Sequence, residues 1–320
     1  MKKRTLGLAL AGLAAVALAI GAAAVAGLQP ANLAYTPNSE SQMTNIDVAR
    51  AYAKNYYGAP TAVSGTGATA TWNVPLSLDS NYASEAESVA KQGGDWLAAR
   101  AKVPHRAIVL DVDDTTLTTW NYELYSNWDF NPTTNASFVG LTGTTFTGNL
   151  FPATPGMLDL VTKAHDLGYA IFWITGRGDA QHQATIANLQ NDVAAGFSDI
   201  TSVPLSGKTV PEIDAGYQPA TAIDTGHGHV TTGTTDFADG LFTKPPVGQY
   251  PAYLNKPEFC AAAIAANASC ATIPYKSGTR AYIESQGWDI VADFGDQFSD
   301  LEGGFADKTF KMPNPNYYLP

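Results

Sequence analysis

Two carboxylates follow an apolar run, and their spacing is the first indication of chemistry in this chain. The run 107–110 leads directly into Asp111, Val112 and Asp113. Four apolar residues without polar alternation are typical of a central strand in a parallel sheet, and ligands bind where such strands end. Side chains two residues apart leave a strand on one face, so we expect Asp111 and Asp113 to lie close together. Such a pair supplies a nucleophile beside an acid, or half of a metal site.

Three later residues strengthen this hypothesis by their types and their order. Thr175 follows the apolar run 170–174, Lys276 comes next, and Asp296 follows a third run at 289–294. Each has an ordinary alternative, since Thr175 can cap a helix, Lys276 can be a surface charge, and Asp-rich turns often only end a strand. Together they provide the hydroxyl, the ammonium and the additional carboxylate that phosphoryl transfer uses.

The elements that position these residues can be predicted from apolar periodicity and turn residues. Alternation of strands and helices predicts an α/β fold with a parallel sheet and right-handed crossovers. We predict helices over 45–57, 84–101, 157–168, 181–195 and 279–286, and strands over 107–110, 170–174 and 289–294.

Four short motifs resemble those of a known family. They are Asp-Val-Asp-Asp-Thr at 111–115, Thr-Gly-Arg at 175–177, Tyr-Lys-Ser-Gly around Lys276, and Gly-Asp-Gln-Phe-Ser-Asp at 295–300. In this order they resemble the motifs of haloacid dehalogenase (HAD) superfamily phosphatases. The similarity extends to the class B acid phosphatase branch that contains plant acid phosphatases and vegetative storage proteins, and it covers roughly residues 44–304.

The resemblance implies a fold and a division of the chain. The expected fold is a HAD-like Rossmannoid three-layer α/β sandwich with a central parallel sheet. The phosphatase domain is expected over 43–320, with a candidate cap segment at 118–154 and a loop-rich insertion at 198–251.

The resemblance also implies roles for individual residues. Asp111 would attack phosphorus and form an aspartyl phosphate, while Asp113 would act first as an acid and then as a base. Thr175 and Gly176 would bind phosphoryl oxygens, and Lys276 would neutralise charge on the nucleophile and the transferring group.

Magnesium is the implied cofactor. Its ligands would be Asp111, the backbone carbonyl of Asp113, and Asp296, and such oxygen-only ligation favours Mg²⁺ over zinc. Asp300 would lie outside these ligands and orient Lys276, with a metal-bound water as its alternative partner. Arg177 has two open interpretations, which are a substrate-binding residue and a salt bridge within its own loop.

The N-terminus has the features of an export signal. Residues 1–4 read Met-Lys-Lys-Arg, an apolar stretch follows, and Ala-Val-Ala at 24–26 is a small-residue cleavage site. We predict a signal peptide over 1–26, a linker over 27–42, and a secreted or periplasmic protein. An uncleaved membrane anchor is the alternative, because residues 6–28 carry no charge; with cleavage, no stable membrane association is expected.

Composition restricts the class of partner. The chain of 320 residues is 45% hydrophobic and can bury a full core. Loss of Lys2, Lys3 and Arg4 with the signal lowers the formal net charge from −11 to −14, which argues against a nucleic-acid-binding surface. The two cysteines, Cys260 and Cys270, are candidates for a disulfide in an exported protein, with two separate buried thiols as the alternative.

These observations predict an exported acid phosphatase that hydrolyses small-molecule phosphate monoesters with magnesium. A nucleotidase or phosphotransferase of the same fold is an alternative, because it shares the first chemical step. A non-enzymatic storage or binding protein on the same scaffold is another. The sequence does not identify the natural ester, the pH optimum or the oligomeric state.

Overall fold

The computed structural model describes residues 38–58, 76–100, 105–139, 141–142, 145–146, 151–190 and 240–319. It divides the chain into a short N-terminal unit that ends at Asn45, with a 3-10 helix at Glu40–Gln42, and a large unit from Ile46 onward. The predicted signal peptide, the linker up to residue 37 and residues 198–239 of the predicted insertion lie outside the described residues. Within the described ranges, no helix is both long and apolar enough to cross a membrane.

A parallel sheet of five strands forms the centre of the large unit. Its strands are β1 Arg106–Leu110, β4 Ala170–Gly178, β5 Leu241–Lys244, β6 Asp289–Gly295 and β7 Thr309–Lys311. Their order in the sheet is β5-β4-β1-β6-β7, so β1 lies in the middle. All four neighbouring pairs are parallel. A separate antiparallel pair is formed by β2 Leu141–Thr142 and β3 Thr145–Phe146.

Nine α-helices are described in this unit. They are α1 Ile46–Tyr57, α2 Asn81–Ala98, α3 Trp120–Ser126, α4 Pro132–Val139, α5 Met157–Asp166, α6 His182–Gln190, α7 Ala261–Ala265, α8 Thr272–Ser285 and α9 Phe298–Leu301.

The two faces of the sheet bury two separate apolar clusters. Ile108 and Leu110 of β1 point into one cluster with α2 and α5, whereas Val109 points into the other with α8. Strands covered on both faces need apolar residues at every position, which is why the run 107–110 lacks polar alternation. The predicted three-layer α/β sandwich with a central parallel sheet is therefore confirmed.

Two elements differ from the sequence prediction in ways that affect the site. Helix α8 begins at Thr272, seven residues before the predicted start, so Lys276 lies on a helix. Strand β5 lies within the interval predicted as an insertion of loops and short strands, yet it belongs to the central sheet, where it pairs with β4 as an edge strand. Its four residues are too short for periodicity to distinguish them from a loop.

Pro155 precedes helix α5 in a turn and is not its first residue. Met157 N donates to Thr154 O at 3.0 Å, and Gly156 has φ +81°, which together with Pro155 gives a type II turn. A Cβ at Gly156 would lie 2.9 Å from the Cβ of Ala90. Glycine is required here for both conformation and space.

Cys260 and Cys270 form a disulfide in the structure, with an S–S distance of 2.00 Å. Both residues are buried in the apolar cluster beside α8. The prediction of a disulfide is confirmed. Closure of so short a loop is expected to stabilise the fold by about 2 to 3 kcal/mol.

The candidate cap segment at 118–154 contains α3, α4 and the β2-β3 pair. Its aromatic residues serve mainly as core: Trp120 and Tyr122 are buried, and Trp120 stacks on Tyr57 with ring centroids 4.0 Å apart. Phe130 is 69% exposed. Whether this segment acts as a cap stays a prediction.

Candidate active site

The carboxyl ends of β1, β4 and β6 meet at one edge of the sheet and bring the predicted site residues to that edge. Asp111 follows β1, Thr175 lies in the last part of β4, and Asp296 follows β6. Asp111 N donates to Phe294 O at 2.9 Å, which continues the pairing of β1 and β6 up to the site. Parallel strands thus position three residues that are far apart in sequence.

Local hydrogen bonds fix the loop after β1. The hydroxyl of Thr116 donates to Asp111 O at 2.7 Å. Asp114 has φ +52°, a left-handed conformation that aspartate tolerates, and its carboxylate accepts from Thr119 N at 2.9 Å and Thr119 Oγ1 at 2.5 Å. Burial raises the pKa of Asp114 to about 6, although the hydrogen bonds from Thr119 lower it. The loop therefore has one arrangement that presents Asp111 and Asp113.

Lys276 lies between two carboxylates. Its Nζ donates to Asp111 Oδ1 at 2.5 Å and to Asp300 Oδ1 at 2.7 Å, and all three side chains are less than a tenth exposed. Burial by itself would lower the pKa of Lys276, but Asp111 and Asp300 raise it above its ordinary value. Lys276 is therefore a permanent cation at the candidate nucleophile.

Asp111 itself is buried among other carboxylates. Burial raises its pKa well above the ordinary value; Lys276 opposes this shift, and the charges of Asp300 and Asp296 add to it. One ammonium does not compensate for several buried carboxylates, so a further cation would stabilise the ionised form.

Asp296 is held by three hydrogen bonds at the same edge. Thr115 Oγ1 donates to its Oδ1 at 3.1 Å, while Gln297 Nε2 and Asn314 Nδ2 each donate to its Oδ2 at 2.7 Å. Burial raises the pKa of Asp296 to about 7, and repulsion from Asp300 and Asp114 contributes. The orientation of this carboxylate thus depends on residues from three separate segments.

The carboxylates fit a hard divalent cation. Asp111, Asp296 and Asp300 each offer one oxygen, and these oxygens all lie within 4.8 Å of one another. Oxygen donors alone are what Mg²⁺ prefers, and the raised pKa values of Asp111 and Asp296 are what a cation would counteract. Asp111 and Asp296 of the predicted ligand set are therefore brought together.

Asp300 belongs to this cluster but already has partners for both oxygens. Oδ1 accepts from Lys276, and Oδ2 accepts from Gln297 N at 2.8 Å as part of a capping box on α9. A Cβ at Gly295 would lie 2.4 Å from the Cβ of Asp300, so only glycine permits this approach. Asp300 therefore contacts Lys276 directly, and its role in orienting that lysine stays a prediction.

Asp113 has a different environment from Asp111. Arg177 Nε donates to both of its oxygens at 3.2 and 2.9 Å, and Nη2 donates to Oδ1 at 2.6 Å. The Asp113 side chain is 28% exposed, whereas that of Arg177 is 3% exposed. Arg177 thus makes a salt bridge, but with Asp113 in the loop after β1 and not within its own loop, as one of the two interpretations expected. Its role as a substrate-binding residue stays a prediction.

Thr175 and Gly176 lie in the last part of β4, directly before Arg177. Thr175 is fully buried, and its hydroxyl oxygen accepts from Arg177 N at 3.1 Å, so its proton is available to another acceptor. Gly176 is exposed, and a Cβ built there would meet nothing within 4 Å. The backbone at Gly176 is therefore accessible to a ligand.

Several residues that shape the site were not predicted. Asn314 and Gln297 orient Asp296, and Arg280, ion-paired with Asp293 at 2.9 Å, donates to the backbone carbonyls of Asp300 and Glu302. The Gly-Asp-Gln-Phe-Ser-Asp motif already contained Gln297. No local sequence pattern indicates that Asn314 belongs to the site, because only the folded chain brings residue 314 beside residue 296.

Together, the fold and the site define an α/β protein with an acidic cluster and a buried lysine at the carboxyl edge of its sheet. The family model for HAD superfamily, subfamily IIIB (acid phosphatase) matches residues 62–210 and 262–320. This match covers more than half of the chain, and the protein therefore belongs to that family.

Several curated proteins are similar to parts of this chain. The chain is 27% identical over 169 residues to acid phosphatase 1 of Solanum lycopersicum, a match that covers 52% of this chain and 43% of that protein. It is 47% identical over 49 residues to the stem 28 kDa glycoprotein of Glycine max, covering 15% and 19% respectively. Vegetative storage protein 2 of Arabidopsis thaliana is 42% identical over 48 residues, covering 15% and 18%.

The chain thus matches less than half the length of these curated relatives. Among solved structures, the class C acid phosphatase from Bacillus anthracis is similar, with 19% sequence identity and a TM-score of 0.40. That similarity covers 73% of this chain and 80% of the other.

Proposed function

We propose that this protein is an acid phosphatase that hydrolyses phosphate monoesters through an aspartyl phosphate on Asp111, with Mg²⁺ as its cofactor. The observation that carries this proposal is the 2.5 Å contact between Lys276 Nζ and Asp111 Oδ1, beside the oxygens of Asp296. An ammonium, a candidate nucleophile and a second carboxylate come from positions up to 185 residues apart in sequence. Membership of the acid phosphatase family supports the same activity.

In the first half of the proposed reaction, a carboxylate oxygen of Asp111 forms a bond to phosphorus as the ester P–O bond breaks. Asp113 transfers a proton to the departing alkoxide, which leaves as an alcohol. Lys276 neutralises negative charge at the attacking oxygen, and the Thr175 hydroxyl donates to a phosphoryl oxygen.

In the second half, water attacks phosphorus and the bond to Asp111 breaks. Asp113 takes the proton of that water, so its protonated form is restored along with the free Asp111 carboxylate and inorganic phosphate. Asp111, the Asp113 carbonyl and Asp296 would hold Mg²⁺, which draws charge from the phosphoryl oxygens when bound.

We also propose that the protein works outside the cytoplasm. The Cys260–Cys270 disulfide supports this, because such bonds persist mainly in oxidising compartments. The predicted signal peptide supports the same proposal. Mass spectrometry of the N-terminus from secreted, membrane and cytoplasmic fractions tests it: a mature end near residue 27 is expected, and a full-length chain confined to the soluble cytoplasmic fraction would refute it.

The enzymatic proposal is tested with p-nitrophenyl phosphate in the presence of Mg²⁺ or of a chelator. We expect turnover that requires the metal and falls by at least about 10⁴-fold in Asp111→Asn. Asp166→Asn, whose side chain is 72% exposed, is the matched control and should keep full activity. Equal activity of Asp111→Asn and wild type would refute the mechanism, and an inactive, folded wild type would favour a storage protein.

A panel of substrates separates the enzymatic alternatives. A nucleotidase would favour nucleoside monophosphates by a large factor over simple esters. A phosphotransferase would form an alkyl phosphate when an alcohol is added, because the alcohol competes with water for the aspartyl phosphate.

A further inference from the structure

Arg177 has hydrogen-bond partners on both sides of its guanidinium group. On one side, Nε and Nη2 donate hydrogen bonds to the carboxylate of Asp113. On the other side, Nη1 donates to Thr185 Oγ1 and to Asn188 Oδ1, each at 3.1 Å. The guanidinium group thus connects Asp113 to helix α6.

The contacts with α6 have defined donors and acceptors. The hydroxyl of Thr185 donates its proton to Gln181 O at 2.9 Å, so only its lone pairs face Arg177. Thr185 and Asn188 are both fully buried. Because the guanidinium group is planar, fixing Nη1 also fixes the plane in which Nε and Nη2 meet Asp113.

Phe151 further restricts this group. The guanidinium carbon lies 5.6 Å from the centroid of its buried ring. All three guanidinium nitrogens of Arg177 therefore have hydrogen-bond partners, and the ring of Phe151 lies beside the group. If it turned to bind a phosphate, it would give up these contacts and leave Asp113 unpaired.

We propose that Arg177, oriented by Thr185 and Asn188, is a positioning residue that holds Asp113 in line for proton transfer. This inference rests on the proposed phosphatase function. A carboxylate has about four lone-pair sites, and Arg177 donates three hydrogen bonds to Asp113, so about one site is left for the transferred proton. In both half-reactions the proton moves at Asp113, and Arg177 itself gains and loses none.

The dependence on the leaving group tests this role. A dinitrophenolate departs without protonation, whereas an alkoxide needs a well-placed acid. The value of kcat/KM reports the steps up to departure of the alcohol. For Arg177→Met we expect kcat/KM to fall about 100-fold with an alkyl phosphate and less than about threefold with 2,4-dinitrophenyl phosphate.

The second half-reaction gives an independent readout with the same variant. With 2,4-dinitrophenyl phosphate, a misplaced Asp113 slows attack of water on the aspartyl phosphate. We therefore expect Arg177→Met to show a larger pre-steady-state burst of dinitrophenol than wild type.

Arg177→Lys separates geometry from charge. Lysine keeps the positive charge but lacks the planar fork, so it should show the same dependence on the leaving group as Arg177→Met. Recovery of wild-type rates by lysine would show that only the charge matters and would overturn the proposal. An equal fall in kcat/KM for both esters, with a raised KM, would identify Arg177 as a phosphate anchor and also overturn it.

Variants on α6 extend the test without touching Arg177. Thr185→Val should lower kcat/KM for the alkyl phosphate about tenfold, the lower end of the effect of one hydrogen bond to a charged group, and leave the dinitrophenyl ester unchanged. Thr162→Val is the matched control, because Thr162 makes the same kind of bond to Leu158 O on helix α5. An equal loss of kcat/KM in Thr162→Val would show that the effect comes from reduced protein stability and would overturn the proposal. Failure of the wild type to hydrolyse either ester would instead refute the proposed function.

Discussion

Asp111 and Asp113 are separated by one residue, yet their surroundings differ. Asp111 is enclosed with Lys276 and two further carboxylates, and its side chain is 9% exposed. Asp113 has a single arginine partner and is 28% exposed. One side of the loop is a buried, acid-rich cluster, and the other is a single ion pair at the border of solvent.

This difference suits two different tasks. A nucleophile that gains a phosphoryl group benefits from fixed positive charge and exclusion of water. A group that exchanges protons with a leaving alcohol and with water needs access to solvent. The two aspartates receive their cations from different elements, since Lys276 comes from α8 and Arg177 from β4. Their environments can therefore be altered independently.

The largest expected effect is on stability when each cation is removed. Lys276→Met leaves two enclosed carboxylates without their ammonium, and we expect the free energy of unfolding to fall by about 3 to 5 kcal/mol. Arg177→Met leaves Asp113 within reach of water, and we expect a loss of about 2 kcal/mol. Urea denaturation without divalent metal measures both values, and an equal or larger loss in Arg177→Met would contradict the comparison.

Of the two aspartate side chains, only that of Asp111 should take part in metal binding. At a Mg²⁺ concentration 100 times its dissociation constant, we expect the ion to stabilise the wild type by about 2.7 kcal/mol. Asp296→Asn should lose this stabilisation, whereas Asp113→Asn should keep it because only the backbone of Asp113 is a predicted ligand. Thermal melts with and without Mg²⁺ measure the shift; its loss in Asp113→Asn would show that the side chain binds the ion.

Glu123 gives a pH-dependent test on the Asp113 side. Burial raises its pKa to about 8, and the charges of Asp114 and Asp113 contribute. Because the folded pKa lies above the unfolded value near 4.5, folding favours the protonated form, and stability is lost as pH rises from about 4.5 to 8.

Glu123→Gln removes this penalty. We expect the variant to match wild type near pH 4.5 and to be more stable at pH 8 by on the order of 2 kcal/mol. Denaturation at several pH values measures the difference. A constant offset at every pH would show that the carboxyl group of Glu123 does not titrate in this range.

The smallest expected effect is on Mg²⁺ affinity when one hydrogen bond to Asp296 is removed. Asn314→Leu removes the 2.7 Å hydrogen bond to Oδ2 but leaves those of Gln297 and Thr115. We expect Mg²⁺ affinity, measured by calorimetry, to weaken about tenfold. Asn316→Leu is a neighbouring control, because its side chain contacts Tyr57 and Trp128 and not the acidic cluster. Equal weakening in both variants would assign the effect to the C-terminal segment as a whole.

The sequence by itself determined the central strands, the α/β class, and the types and order of the main site residues. A short, fully apolar run such as 107–110, followed by turn residues, is typical of a strand covered on both faces. The residues Asp111, Thr175 and Asp296 follow from that assignment, because carboxyl ends of neighbouring parallel strands share an edge.

Only the tertiary structure decided which residues support them. The pairing of Arg177 with Asp113, and the approach of Asn314 to Asp296, join segments 64 and 18 residues apart. Helix α8 also extends back to Thr272, where Pro274 and Gly278 obscure the periodic pattern. Such contacts depend on how whole elements pack, and local propensity or spacing carries no record of that packing.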